Sequence, residues 1–129
     1  MRDFTGLRIF LCTTPTNMSY SFDSLMGRAQ TIFEQDPLSG HLFLFINRTR
    51  DRIKVLFWDL DGFCIWYKRL ELGQFQIPDA VNGQQGLELD YDQLTKLLGG
   101  IDFHTGCKRR RYRPPTFRKT SDSVRTDLV

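Results

Sequence analysis

Between Asp36 and Pro78 the chain repeats one pattern: an apolar, aromatic-rich run, a short polar turn, then another such run. Leu42–Asn47, Arg52–Asp59 and Phe63–Leu70 are each of strand length and rich in β-branched and aromatic residues. Only Arg48–Asp51 and Asp59-Leu60-Asp61-Gly62 separate them, and links that short join antiparallel neighbours. The centre of the chain therefore reads as a meander. Gly73 marks a further turn, and Gln74–Ile77 is expected as a short fourth strand that Pro78 ends.

The flanks add helices. Gly6–Thr13 reads as a strand, followed by a loop at Thr14-Pro15-Thr16-Asn17. Phe22, Leu25, Met26, Ala29, Ile32 and Phe33 then fall at steps of three and four, one apolar helical stripe, with Asp23, Arg28, Gln30, Thr31 and Glu34 on the rest of the circumference. Ser19 or Ser21 caps its start and Asp36-Pro37 closes it. Leu87–Leu89 suits a brief edge strand. Asp90 with Gln93 forms a capping-box pattern ahead of Leu94, Leu97, Leu98 and Ile101, which stalls at Gly99-Gly100. The expected fold class is α+β: an antiparallel β-meander sheet of about five to six strands, one amphipathic helix packed on it and a short C-terminal helix. Residues 1–103 are expected to form a single compact domain, and the polar, charged residues 104–129 a disordered tail.

Charge is divided between those two parts. Residues 1–103 hold 10 Lys and Arg against 13 Asp and Glu, while residues 104–129 hold 8 against 2, so the net +3 splits into −3 and +6. A basic tail on a mildly acidic body points to an anionic partner, of which nucleic acid is the commonest. No apolar run reaches the roughly 20 residues that span a bilayer, and the start MRDFTGLRIFLC is too short and polar for a secretory segment. A cytoplasmic protein with no membrane partner is the expectation. Cys12, Cys64 and Cys107 are widely spaced, with only His41 and His104 to supplement them, so reduced thiols and neither metal nor cofactor are expected.

Four groups of residues could carry function. If the D-x-D-G turn holds a three-residue loop with Gly62 left-handed, Asp59 faces Phe63 and Lys54 faces Lys68. One face then shows Ile53, Val55, Phe57, Phe63, Ile65 and Tyr67, and the other Lys54, Leu56, Trp58, Cys64, Trp66 and Lys68. Trp58 and Trp66 with the two lysines would make a platform for bases and phosphates, or a face covered by a helix or a partner protein. Arg48, Arg50 and Arg52 cluster at the preceding hairpin tip, either as a mobile phosphate-reaching group or as a solvated turn. Lys108, Arg109, Arg110, Arg111 and Arg113 surround Tyr112 in the tail, the strongest of the anion-binding candidates, with a solubilising role as the alternative. Asp59, Asp61 and Glu71 could hold a metal for phosphodiester chemistry, but Asp59 and Asp61 also suit the turn itself. His41 has no nucleophile or orienting partner nearby in sequence, and neither P-loop, dinucleotide fingerprint nor G-x-S-x-G is present.

The blocks NMxxxFDxL (residues 17–25), QDPLSGHLFLF (35–45), DRIKVLFWDLDGFCIWYKRLELGQF (51–75) and LLxGID (97–102) resemble the TnpB-type accessory protein of the insertion sequence 66 family over roughly residues 4–113. This is not the RNA-guided nuclease that shares the TnpB label. The resemblance implies a small bacterial protein encoded beside a DDE-type transposase and assisting transposition, with no established catalysis or mapped site to carry over. Many members are basic where this chain has Ser19-Tyr20. The expected function is a non-enzymatic accessory role in DNA transposition, binding DNA, the transposase or both. The alternatives are a pure protein-interaction module that docks on the transposase through Trp58 and Trp66 and, more remotely, a metal-dependent nuclease.

Overall fold

In the computed structural model, which describes residues 6–78 and 83–99, the order of elements is β1 (Ile9–Cys12), α1 (Phe22–Phe33), β2 (Leu42–Ile46), β3 (Arg52–Asp59), β4 (Gly62–Arg69), β5 (Gly86–Leu89) and α2 (Tyr91–Gly99), with a 3₁₀ turn at Pro37–Ser39. The five strands form one sheet in the order β4-β3-β2-β1-β5. It is mixed, not the antiparallel sheet expected: β1 and β2 run parallel, with Phe10 beside Phe43. Helix α1 is the cause, because it carries the chain back to the end of the sheet from which β1 started. The sequence signal was the unbroken apolar runs IFLC and LFLFI, every residue of which is buried, as central strands covered on both faces require.

Helix α1 covers one face, where Leu25 and Ala29 are fully buried on Phe10, Phe43, Phe45 and Leu56. The rings of Phe10, Phe33 and Phe43 lie 5.4–5.6 Å apart, centroid to centroid. Gly86 allows this approach, since a Cβ there would lie 2.7 Å from the Phe33 ring. Helix α2 covers the other face with Leu94 and Leu97, packed on Ile9, Leu11, Leu44 and Val55. Its capping box is formed as expected: Gln93 N donates to Asp90 Oδ1 at 2.7 Å, and Asp90 N to Gln93 Oε1 at 2.9 Å. Ser21 is the N-cap of α1 but makes no side-chain capping bond.

Two expectations fail at the edges. Gln74–Ile77 is not a strand. It is an irregular strap whose Phe75 is fully buried in the α2-side core, with its N–H bonded to Arg50 O at 2.6 Å. The β3–β4 hairpin has a two-residue loop, Leu60-Asp61, because Asp59 pairs with Gly62. The positive φ falls on Leu60, at 59°, and not on Gly62. One residue of register exchanges the faces of β4. Lys54 therefore faces Tyr67, and Lys68 faces Ile53. Ile101, Cys107, His104 and the whole of the tail lie outside the described residues.

Candidate functional site

The carboxyl ends of the two parallel strands open side by side, and the loops that leave them wall a polar cleft. In open sheets with parallel strands this is where ligands are usually held, because the chain diverges there. Thr16 N donates to Ile46 O at 2.9 Å, joining the loop after β1 to the end of β2. Lys54 then fixes the rest of that loop. Its Nζ donates to Met18 O and Tyr20 O, both at 2.8 Å, and lies 4.8 Å from the Tyr67 ring centroid. Only 9% of Lys54 is exposed. Its ammonium serves as an internal brace.

On the other wall, the β2–β3 tip is closed by one side chain. Asn47 Oδ1 accepts from the N–H groups of Asp51 and Arg52 at 3.1 and 3.0 Å, while Nδ2 donates to Thr49 Oγ1 and Asp51 Oδ1 at 3.1 and 2.8 Å. Hydrogen bonds from Asn47 and Thr49 hold the Asp51 carboxyl below the usual carboxylate range. Gln74 Nε2 bonds Thr49 O at 2.8 Å, and Leu70 N bonds Asp51 O at 2.7 Å. Of the two readings of this tip, a mobile group or a solvated turn, the structure gives the turn, and braces it.

Arg28 stands between the walls. Its position, three residues after Leu25, places it beside the buried stripe of α1. Nη2 donates to Cys12 Sγ at 3.2 Å and Thr14 Oγ1 at 3.1 Å, and the guanidinium carbon is 5.9 Å from the Tyr20 ring centroid. Nε is buried with no hydrogen-bond partner. Arg28, Arg48 and Arg52 together line a cleft of about 510 Å³ with Thr16, Asn17, Tyr20 and Thr49, and no Asp or Glu lines it. Three arginines and no acidic residue in one lining give the cleft the charge and donor type that oxyanions take.

The candidates from sequence are thus sorted. Arg48 and Arg52 reach the cleft, while Arg50 is absent from its lining and sits in the left-handed region at φ 60°. Lys68 is exposed, on the opposite face of the sheet from Lys54. The shared platform of Trp58 and Trp66 does not form. Trp58 stacks edge-on against Phe63 at 5.1 Å on the α1 side, and Trp66, 43% exposed, pairs with Val55 on the α2 side. Lys108, Arg109, Arg110, Arg111 and Arg113 lie outside the described residues. Asp59 and Asp61 sit at one end of β4 and Glu71, paired with Arg69 at 2.8 Å, just past the other. Eight strand residues at about 3.3 Å each hold them apart. Among the described residues no three of His, Cys, Asp and Glu gather as a metal-holding group. No helix among them is long and apolar enough to cross a membrane. From the sequence Arg28 reads as lying off the apolar stripe of α1, and its i+3 spacing from Leu25 is the signal that sets it beside that stripe.

Similar proteins include "Uncharacterized protein y4hO" of Sinorhizobium fredii (strain NBRC 101917 / NGR234), 37% identical over 98 residues, which cover 76% of this chain and 84% of that protein. A second from the same strain, "Uncharacterized protein y4jC", is 30% identical over 111 residues, 86% of this chain and 92% of that protein. No solved structure matches the chain. The model of the family described as "IS66 Orf2 like protein" matches residues 7–108, well over half the length, and the chain belongs to that family.

Proposed function

We propose that this chain is a non-enzymatic accessory protein of DNA transposition that binds DNA through its phosphates and works beside the transposase of the same element. The family places it with an insertion sequence. The observation that carries DNA binding is the cleft, where Arg28, Arg48 and Arg52 line one wall-to-wall space with no carboxylate. Arg50 at the same tip, the exposed Lys68 and the tail cations Lys108, Arg109, Arg110, Arg111 and Arg113 add non-specific attraction over a wider footprint. Lys54 contributes by holding the loop at Met18 and Tyr20 in place.

The test is a salt titration of the affinity for duplex DNA. Each neutralised phosphate contributes a slope of about −0.9 in log affinity against log salt. A slope of several units supports the reading. An affinity indifferent to salt, or no complex, overturns it.

A second reading, docking on the transposase, is favoured by β4. It is an edge strand whose Trp66 and Tyr67 are 43% and 48% exposed, with Leu72 beyond its end 37% exposed. Large exposed aromatics are the residues on which protein interfaces most often depend. If this reading is right, Trp66→Ala abolishes co-purification with the transposase and Arg48→Gln leaves it intact. The reverse sensitivity favours DNA as the bridge.

A further inference from the structure

Among the described residues Arg28 is the cation with a side-chain donor left unpartnered inside the protein. Arg8 and Arg69 are each matched by a carboxylate, Glu88 and Glu71, at 2.8 Å, and Lys96 by Asp92 at 3.2 Å. Lys54 is matched by two carbonyls. Arg28 has only a thiol sulfur and a hydroxyl on Nη2, and a buried Nε with no acceptor. A buried N–H without a partner is costly, and in native proteins it calls for a reason such as strain, a functional role or a bound water or ion. Its full charge is not met by any carboxylate among the described residues.

The surroundings fit an oxyanion better than water alone. Arg48 has no hydrogen bond or ion pair among the described residues, and the Arg52 guanidinium makes one long bond, Nη1 to Tyr67 Oη at 3.4 Å, with the Asp51 carboxyl in its field. Both start from a turn that Asn47 makes rigid, and both line the same cleft as Arg28. Thr16 is also on the lining, and the adjoining Asn17 side chain is engaged by Ser19 N at 2.9 Å. A tetrahedral oxyanion takes several donors converging from different directions, and three guanidinium forks supply them.

We infer that this cleft is a built site for a single phosphate group, with Arg28 as its fixed guanidinium and Arg48 and Arg52 closing on it from the hairpin. The inference rests on the DNA-binding reading for the source of that phosphate, a backbone phosphate of a nucleic-acid strand. It goes further in assigning one phosphate to one place and in naming Arg28, a helix residue outside every basic cluster, as its anchor.

The experiment follows the side-chain Nε–Hε resonance of Arg28 in the full chain by nuclear magnetic resonance. Inorganic phosphate is titrated against sodium chloride of equal ionic strength, and then a duplex of about 20 base pairs is added, long enough to cover a site of this size. The expected result is a saturable phosphate shift of the Arg28 signal that chloride does not produce. Arg48→Gln, which removes an exposed side chain with no partner, should weaken phosphate binding about tenfold, and Arg28→Gln should abolish it. Duplex DNA should move the same resonance, and Arg48→Gln should lower the salt slope for DNA by about 1. A phosphate shift no larger than that from chloride, or one unchanged in Arg48→Gln, overturns the site even if DNA still binds elsewhere. A saturable phosphate shift that no DNA reproduces upholds the site and removes the DNA reading, leaving a small phosphorylated ligand as the source.

Discussion

The two hairpin tips of the β2–β3–β4 run close in opposite ways. At Asn47–Asp51 a single amide makes four hydrogen bonds within the turn, and the strap at Leu70–Phe75 adds three more from outside. At Asp59–Gly62 the loop has two residues, and Asp61 N bonds Asp59 O at 2.6 Å across a Leu60 that is 90% exposed and left-handed. The first tip is over-determined and carries cations toward the cleft. The second is minimal, and each tip holds one left-handed non-glycine residue, Arg50 at φ 60° in the first and Leu60 at φ 59° in the second. The hydrogen bonds that fix the first tip lie where Arg48 and Arg52 leave the backbone, which is what the proposed phosphate site needs in order to be preorganised.

Removing the hub tests that contrast most severely. Asn47→Ala deletes four side-chain hydrogen bonds at a partly buried turn, at a net value of about 0.5–1.5 kcal/mol each when well formed. Partial exposure and water replacement reduce the sum, so the expected loss is about 2–3 kcal/mol in denaturant unfolding. Phosphate affinity should fall with it, because Arg48 and Arg52 lose their fixed origin. An unchanged midpoint would mean that the strap alone holds the tip.

The brace on the facing loop should be next in size. Lys54→Met keeps much of the packing but leaves the Met18 and Tyr20 carbonyls without their charged donor, an expected loss of about 2 kcal/mol. The DNA salt slope should not change at low denaturant if Lys54 is a brace. A slope reduced by about 1 would instead make it a phosphate contact.

What could be read from the sequence follows the same division. Helix α1 and strand β3 have the boundaries expected, and α2 has its capping box, because periodicity and caps are local signals. The direction of β2 relative to β1 was not local. It depends on where α1 returns the chain, and the continuous apolar runs were the trace of it. The faces of β4 were misassigned through one residue of loop length, since D-x-D-G suits more than one hairpin and only pairing decides among them. Arg48 and Arg52 were visible as a cluster. Arg28 belonged to the site only once the loop after β1 was folded over it.

The second tip can be improved at Leu60. A leucine at φ 59° carries a left-handed penalty of about 1–2 kcal/mol, and glycine removes it at an entropic cost of roughly 0.5–1 kcal/mol. The Leu60 side chain is almost wholly exposed, so little packing is lost. Leu60→Gly should therefore stabilise the protein by about 0.5–1 kcal/mol, read as a higher denaturant midpoint with an unchanged slope. If it destabilises, Leu60 makes contacts that its exposure does not reveal, and the tip belongs to an interface.

The smallest expected effect comes from His41, just before β2. Its Nδ1 accepts the Arg8 N–H at 3.0 Å, so the fold requires that nitrogen to be unprotonated. Burial, and then the Arg8 guanidinium, push the imidazole below its ordinary value of 6.5. With the folded value lower than the unfolded one, the unfolded chain binds the proton first. Stability is thus complete above about pH 6.5 and declines as pH falls from there through the folded value. The Glu88 and Asp51 carboxyls, held low by Arg8 and by Asn47, lose their contribution in the same direction but at still lower pH. His41→Gln keeps an acceptor without a titrating group, and it should flatten the unfolding midpoint between pH 8 and 5 while leaving the acid limb below about pH 4 in place. A midpoint in the parent protein that does not move between pH 8 and 5 would show that Arg8 N finds another acceptor when the ring is protonated.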